Sequence, residues 1–280
     1  MQNFEFYAPR SIEEALGFLA EKGKFCRIIA GGTDLIPALR SETIQPGFIL
    51  NLLEIDGLKG ITEEKEEIRI GPTTTFTEMT RSEILKTHLP LLVEAASWVG
   101  GPSIRNRGTI GGNLCNASPA ADVLPAVIAL DGRMELRSIQ GGVRVLPVAE
   151  AVEAPYKTRI RPDEILTAVR IPKLLPGTRS AFEKVARRKA MARAYMSVSI
   201  VLCPGEGGLV KDVRIVLGAV EAVARRVKAA EAVLLGKRPD EEKIQEAAEA
   251  LAGALVGVWI PDYKMPVVRL VFKRNLRKVL

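Results

Sequence analysis

Two glycine-rich segments of this chain have the residue types needed to bind an anionic ligand. The first is Ala30-Gly31-Gly32-Thr33-Asp34-Leu35, and the second is Thr109-Ile110-Gly111-Gly112-Asn113-Leu114. Glycine permits a positive φ and lets backbone N–H groups approach a ligand without an intervening Cβ, so successive amides can surround phosphate oxygens. One such turn is more often structural. Together the two turns predict that a diphosphate binds where they meet.

Polar side chains in and near these turns add further hydrogen-bonding groups. The hydroxyls of Thr33 and Thr109 and the amide of Asn113 are candidate donors to a phosphate. Asp122 follows a run of small residues, 116–121, and its carboxylate could accept hydrogen bonds from ribose or ribitol hydroxyls. The alternative for Asp122 is the N-cap of a helix over residues 123–130. Both interpretations remain open at the sequence level.

Other kinds of chemistry have few candidate residues. His88 is the single histidine, and its surroundings predict a solvated position at the end of a helix, so we assign it no role. The three cysteines, Cys26, Cys115 and Cys203, are far apart and form no metal-binding or disulfide pattern. We therefore expect no metal in this chain, and acid–base chemistry is not its main activity.

Composition places the chain among globular proteins. Hydrophobic residues make up 47% and charged residues 26%, and no apolar run approaches the roughly 18 residues that a membrane span needs. The N-terminus lacks a secretory pattern, so we expect a cytoplasmic protein. The net charge of +7 arises after residue 177, where 20 Lys and Arg face 11 Asp and Glu. These positive charges are dispersed, which favours a solvated or subunit-facing surface over nucleic-acid binding.

The elements around the first turn form a strand–turn–helix junction. A helix begins with the capping-box pattern of residues 11–14, a strand covers residues 26–30, and a short helix covers residues 34–39. Such a junction directs free N–H groups and the positive end of a helix dipole at an anion. A further strand over residues 48–52 completes a first α/β part.

The remaining pattern predicts a second, mixed sheet and then an antiparallel sheet covered by helices. A Pro- and Gly-rich break over residues 171–178 separates the two. Before the break we expect strands at 67–70, 134–137 and 164–171 and helices at 76–85, 89–99 and 122–130. After it we expect strands at 181–185, 197–203 and 213–219 and helices at 220–235, 240–254 and 265–279. The fold class is α+β.

The Rossmann pattern GxGxxG is absent, which argues against a doubly wound dinucleotide domain. Instead, the chain resembles over essentially its whole length the FAD-binding medium subunit of the molybdenum hydroxylases, the group that includes carbon monoxide dehydrogenase and xanthine dehydrogenase. The resemblance rests on residues 4–9, 104–114, 163–166 and 187–192, in addition to the first turn. The second glycine motif is highly specific to this family, and the first is moderately specific.

The resemblance implies a vanillyl-alcohol-oxidase-type FAD-binding domain over residues 1–175, in two parts, 1–53 and 54–175. A smaller C-terminal domain of the carbon monoxide dehydrogenase flavoprotein type follows over residues 176–280. The cofactor implied is FAD, bound without a covalent link. The residues implied to contact it are Ile28, Ile29, Ala30, Gly31, Gly32, Thr33, Asp34, Leu35, Ile104, Thr109, Ile110, Gly111, Gly112, Asn113, Asp122 and Leu166.

Two further contacts are open. Lys184 is next to a position where some relatives have a flavin-contacting lysine, and Glu183 is the alternative residue for that position. Tyr195 lies either near the isoalloxazine ring or in the core at the start of a strand.

The resemblance also implies partners. Members of the family work in a heterotrimer with a large subunit that carries the molybdenum cofactor and a small subunit that carries [2Fe–2S] clusters. This chain would be its FAD-dependent oxidoreductase subunit, which passes electrons to an external acceptor such as NAD+, a quinone or oxygen. Two alternatives are a self-contained FAD-dependent reductase or dehydrogenase and a non-redox assembly module.

Overall fold

The computed structural model describes residues 3–258, 260, 261 and 263–280. The first unit is a three-stranded parallel sheet in the order β1-β3-β2. Helix α1 packs Ala15, Leu16 and Leu19 against Leu50 of this sheet, as the helical spacing of these residues requires. The elements are β1 (Glu5–Tyr7), α1 (Ile12–Lys22), β2 (Cys26–Ile29), α2 (Leu35–Arg40) and β3 (Phe48–Asn51).

The N-terminus of α1 differs from the predicted capping box. Ser11 Oγ accepts a hydrogen bond from the Glu14 N–H at 3.2 Å, as expected. The Glu14 carboxylate, however, accepts from the N–H of Arg10 at 3.0 Å. One hydrogen bond of the capping box is therefore formed as predicted, and the Glu14 carboxylate binds the N–H of Arg10 instead of the N–H of Ser11.

The second unit is a five-stranded sheet in the order β4-β5-β10-β6-β7, with helices on one face. The prediction of a mixed sheet was wrong, because all four strand pairs are antiparallel. Alternate residues such as Ile68, Met134 and Val169 point into the core beneath these helices. The elements are β4 (Ile61–Glu63), β5 (Glu67–Ile70), α3 (Phe76–Arg81), α4 (Glu83–His88), α5 (Pro90–Ser97), α6 (Pro102–Arg105), α7 (Ile110–Asn116), α8 (Val123–Ala129), β6 (Arg133–Ser138), β7 (Gly142–Pro147), α9 (Val148–Ala151), β8 (Val152–Ala154), β9 (Lys157–Thr158) and β10 (Ile165–Pro172).

Two predicted helices of this unit have different bounds. The helix expected over residues 76–85 is divided at Ser82, whose Oγ accepts a hydrogen bond from the Leu85 N–H at 3.3 Å and starts a new helix. The helix expected from residue 89 begins at Pro90, because proline is suited to the first helical position. Every residue of α8 is buried, so this helix lies inside the protein.

The third unit is an antiparallel sheet in the order β11-β12-β13-β14. One face packs Ile200 and Ile215 against Phe272 of α12. The other face packs Phe182, Val201 and Val216 into the core of the second unit, near α5 and α8. The elements are β11 (Arg179–Ala186), β12 (Ala194–Pro204), β13 (Val210–Gly218), β14 (Arg225–Arg226), α10 (Lys228–Leu234), α11 (Glu241–Gly253) and α12 (Lys264–Val279).

The helix predicted over residues 220–235 was wrong in its first half. Arg226 instead pairs with Val216 of β13 in the sheet. Its guanidinium also binds Glu231 at 2.8 Å and lies 3.4 Å from an Asp131 oxygen. These contacts outweigh helix propensity, which is weak compared with tertiary interactions. Among the described residues, no helix is long and apolar enough to cross a membrane.

Candidate functional site

The first glycine motif joins the end of β2 to the start of α2. Ile36 N–H donates to the Gly32 carbonyl at 3.0 Å, and Gly32 has a φ of +71°, which favours glycine. The N–H groups of Gly31, Gly32, Thr33 and Asp34 donate no hydrogen bond to any described residue. Consecutive free amides at a helix N-terminus are suited to binding an anion such as a phosphate.

The second glycine motif, at the N-terminus of α7, uses its amides within the protein. Ile110 and Gly111 donate to the carbonyls of Thr74 and Pro72 at 3.1 and 2.9 Å. Gly112 donates to Thr109 Oγ1 at 3.1 Å, so this hydroxyl caps the helix, and its O–H is left to donate to another group. What the motif leaves free is the side chain of Asn113, whose Oδ1 is buried and has no partner among the described residues.

The first motif meets the residues just before the second motif because Gly31 lets the two backbones touch. A Cβ on Gly31 would lie 1.9 Å from the carbonyl oxygen of Arg107 and 3.0 Å from Gly108 Cα. A Cβ on Gly111 would lie 2.7 Å from the Pro72 carbonyl oxygen. The prediction that these glycines leave room for a ligand therefore needs correction, since protein backbone occupies that space. Gly112 has only Thr109 Oγ1, at 3.1 Å, near the position of a Cβ.

Asp122 and Lys184 form a buried ion pair beside α8. Asp122 Oδ2 lies 2.7 Å from Lys184 Nζ, and the two side chains are 8% and 3% exposed. Lys184 also donates to the Trp98 carbonyl at 3.3 Å. Desolvation raises the pKa of Asp122 to about 6, and the Lys184 charge opposes this rise. The other carboxylate oxygen, Oδ1, is buried and has no partner among the described residues.

The helix-cap interpretation of Asp122 was wrong. Asp122 immediately precedes α8, but its side chain accepts no hydrogen bond from the helix amides. Its carboxylate faces Lys184 of the third unit instead. The pairing across units required the tertiary structure and could not be found from local sequence.

The structure separates Lys184 from Glu183. Successive residues of β11 point to opposite faces of the sheet, so Glu183 binds Arg274, Asn275 and Lys278 on the α12 side. Lys184 faces Asp122. Directly across from Lys184, on β12, lies Ser197, whose buried Oγ has no partner in the described structure. Sequence reasoning missed Ser197, because its position opposite Lys184 depends on strand register.

The remaining predicted residues have different surroundings. Ile104 packs close to Gly100, and Leu166 is buried in the core of the second unit. Tyr195 is 40% exposed, so the core-packing alternative for this residue was wrong. His88 lies 3.1 Å from Glu63 at the end of α4 and touches neither glycine motif.

A loop of the third unit also reaches this region. Residues 187–193 connect β11 to β12, and Met191 N–H donates to the Gly100 carbonyl at 3.1 Å. Burial raises the pKa of Asp34 in the first motif, while the positive charge of Arg193 opposes that rise. The side chain of Asp34 therefore lies within electrostatic reach of this loop, which sequence reasoning did not connect to the site.

Comparison with known proteins decides the family. Residues 2–174 match the family model of the FAD-binding domain in molybdopterin dehydrogenase. Residues 180–279 match that of the CO dehydrogenase flavoprotein C-terminal domain. The chain belongs to the FAD-binding medium subunits of the molybdenum hydroxylases. It is therefore an oxidoreductase subunit whose cofactor is FAD.

Relatives of this medium subunit match along nearly their full length. The 6-hydroxypseudooxynicotine dehydrogenase complex subunit alpha of Paenarthrobacter nicotinovorans is 33% identical over 99% of this chain and 95% of its own length. The carbon monoxide dehydrogenase medium chain of Hydrogenophaga pseudoflava is 33% identical over 88% of this chain and 85% of its own. The solved carbon monoxide dehydrogenase from Hydrogenophaga pseudoflava, in a form lacking the Mo-pyranopterin moiety, matches 99% of this chain and 97% of its own with a TM-score of 0.93 and 32% identity.

The polar groups of this medium subunit fit FAD. The free amides of the first motif suit its diphosphate, and two of the buried oxygens without partners, Asn113 Oδ1 and Asp122 Oδ1, can accept hydrogen bonds from ribityl or ribose hydroxyls. Buried polar atoms without partners are rare in native proteins, because each costs free energy. The free amides and these two oxygens are consistent with a ligand that completes their hydrogen bonds.

Proposed function

We propose that this chain is the electron-transfer subunit of a molybdenum-containing hydroxylase or dehydrogenase. In this proposal it takes electrons from [2Fe–2S] clusters of a small subunit, while a large subunit carries the molybdenum cofactor, and it passes electrons to an external acceptor. Bound FAD supplies the chemistry, since a flavin can exchange electrons with one-electron and two-electron partners. The observation that carries the proposal is the row of free amides at residues 31–34 together with the unpartnered buried oxygens of Asn113 and Asp122.

The residues of this chain would hold the cofactor and not react themselves. The amides of residues 31–34 would donate to the diphosphate, and Asn113 and Asp122 would bind hydroxyl groups. Lys184 would keep Asp122 in place by their 2.7 Å ion pair. The division into an FAD-binding domain over 1–175 and a C-terminal domain over 176–280 is part of the same proposal, supported by the end of β10 at Pro172 and the start of β11 at Arg179.

An absorption spectrum of the purified chain, with mass identification of the ligand released on denaturation, tests cofactor binding. We expect released FAD in equal amount to protein. Asp122→Ala should weaken FAD binding at least tenfold, because hydrogen bonds to a charged group contribute about 1.5–3 kcal/mol. Asp212→Ala is the matched control, since Asp212 lies in β13 and pairs with Arg214 away from the motifs. A colourless chain that does not bind added FAD would contradict the proposal and favour an assembly module.

Purification of the tagged chain from its native cells tests the subunit role. We expect a larger and a smaller polypeptide to co-purify, with molybdenum and iron in the preparation. FAD-containing chain that purifies alone and reduces its own substrate would instead support the self-contained reductase.

A further inference from the structure

The loop between β11 and β12, residues 187–193, carries an unusual group of charges; we call it the basic loop. It contains Arg187, Arg188, Lys189 and Arg193, all exposed. Arg188 donates to the Met191 carbonyl from Nε and Nη2 at 3.2 and 2.8 Å and thereby shapes the loop. Arg187, Lys189 and Arg193 form no ion pair with a carboxylate in the described part of the chain.

Several arginines elsewhere in the third unit form ion pairs with carboxylates. Arg214 binds Asp131, and Arg226 binds Glu231. On α12, Arg274 binds Glu183, and Arg277 binds Glu241. The basic loop differs from these segments because Arg187, Lys189 and Arg193, close together in sequence, form no ion pair with a carboxylate in the described part of the chain.

The basic loop is held at the border of the FAD site. Met191 has a φ of +53°, uncommon for a residue with a side chain, and its N–H bonds to the Gly100 carbonyl at 3.1 Å. Its sulfur would lie 3.0 Å from a Cβ on Gly101. Arg193 acts on the pKa of Asp34, in the first glycine motif. The backbone of the basic loop is therefore held beside Gly100, and its Arg193 lies within electrostatic range of the first glycine motif.

Apolar surface accompanies this charge. Met191 is 53% exposed at the tip of the loop, and Tyr195, just after it, is 40% exposed. Methionine, tyrosine and arginine are the residue types enriched in protein–protein interfaces. A small molecule with phosphate groups would need the cations but not the exposed methionine and tyrosine.

We propose that the basic loop, with Tyr195, is the docking surface for an acidic electron-carrier protein, the external acceptor of the proposed function on which this inference rests. Transient redox complexes bury less area than other specific interfaces, so a single loop and its surroundings can form the centre of one. Complementary charge speeds the encounter of such partners and sets their orientation. A neutral quinone carries no charge that these three cations could attract.

The test measures binding of oxidised flavodoxin, an acidic flavoprotein, to the FAD-loaded full chain at low ionic strength. The loop variant carries Arg187→Gln, Lys189→Gln and Arg193→Gln. The control variant carries Lys211→Gln, Lys237→Gln and Arg269→Gln, exposed positions of the same unit, and has the same net charge. Basic cytochrome c serves as the partner of opposite charge.

We expect flavodoxin to bind the unaltered chain and the control variant, and the loop variant to bind at least tenfold more weakly with a smaller salt dependence. Cytochrome c should not bind. Equal weakening in both variants would mean that only net charge matters and would overturn the proposal, as would absence of flavodoxin binding. Loop-dependent binding of NAD+ that excludes flavodoxin would make the loop a nucleotide site instead.

The absorption spectrum of each sample separates this inference from the proposed function. Absence of FAD from the unaltered chain would contradict the proposed function itself. A normal FAD content together with equal flavodoxin affinity in all three proteins would contradict only the proposed docking surface.

Discussion

The contact between the two glycine motifs can be tested by adding one methyl group. In Gly31→Ala the new Cβ would lie 1.9 Å from the Arg107 carbonyl oxygen and 2.6 Å from the carbonyl carbon. Ordinary van der Waals contacts begin near 3.4 Å, so one backbone segment must move by more than an ångström. Gly31 has no positive φ, so the alanine backbone itself is not strained. The substitution therefore isolates the cost of the contact.

Overpacking of this kind costs about 1–3 kcal/mol, which exceeds the 0.4–1 kcal/mol that replacing glycine by alanine contributes through the unfolded chain. We expect Gly31→Ala to unfold at lower urea concentration. FAD affinity should fall ten- to a hundredfold, because movement of the turn displaces amides proposed to bind the diphosphate, and each charged hydrogen bond contributes about 1.5–3 kcal/mol.

Urea unfolding followed by circular dichroism and FAD titration followed by fluorescence measure both effects. Gly17→Ala is the matched control, because Gly17 lies within α1 and a Cβ there meets nothing within 4 Å. That variant should gain about 0.5–1 kcal/mol of stability and bind FAD normally. If Gly31→Ala behaves like Gly17→Ala in both assays, the close approach of the two motifs is refuted.

Three further predictions concern buried polar groups. Desolvation raises the pKa of Asp122 to about 6, so the folded chain without FAD holds a proton on this carboxyl more tightly than the unfolded chain does. This carboxyl therefore lowers the free energy of unfolding by up to about 3 kcal/mol as the pH rises from about 4 to 6. Asp122→Asn should remove that fall, and identical urea midpoints across this pH range would count against it. Desolvation raises the pKa of Glu164, but hydrogen bonds from Arg144 and Arg161 outweigh this effect and lower the pKa overall. The stabilisation that this carboxylate contributes is therefore present at neutral pH and lost in acid. Glu164→Gln should cost about 2 kcal/mol at pH 7 and little near pH 3 in thermal unfolding, and an equal cost at both pH values would contradict this. Ser199 Oγ is buried without a partner among the described residues, so Ser199→Ala should leave the melting temperature unchanged or raise it, whereas a clear fall would reveal a partner that the structure does not show.

Local pattern was sufficient for most elements and failed where distant segments compete. The apolar run of α8 and the 3.6-residue spacing of α1 and α12 predicted these helices because their buried faces are encoded in neighbouring residues. The helix expected over residues 220–235 was wrong in its first half because Arg226 finds its partners on β13 and at Asp131, which local sequence does not contain.

The candidate site divides in the same way. The glycine pairs and Asp122 were recognisable as ligand-binding candidates from residue type alone, since glycine and carboxylate have distinctive backbone and hydrogen-bonding properties. Which of these groups remain free was not recognisable. The amides of Gly111 and Gly112 resemble those of Gly31 and Gly32 in sequence. The amides of Gly111 and Gly112 are nevertheless hydrogen-bonded within the protein, whereas those of Gly31 and Gly32 have no partner among the described residues.

The sequence by itself thus determined the family, the strand–turn–helix junction at the first motif and the residue types available to a diphosphate. The tertiary structure decided that Lys184 and not Glu183 faces Asp122, because strand register sets the face on which each side chain lies. It also decided that the basic loop lies beside Gly100, through the hydrogen bond from Met191, and that Arg193 lies within electrostatic range of Asp34 in the first motif. A hydrogen-bond partner or a neighbouring charge from a distant segment becomes defined only when the chain has folded.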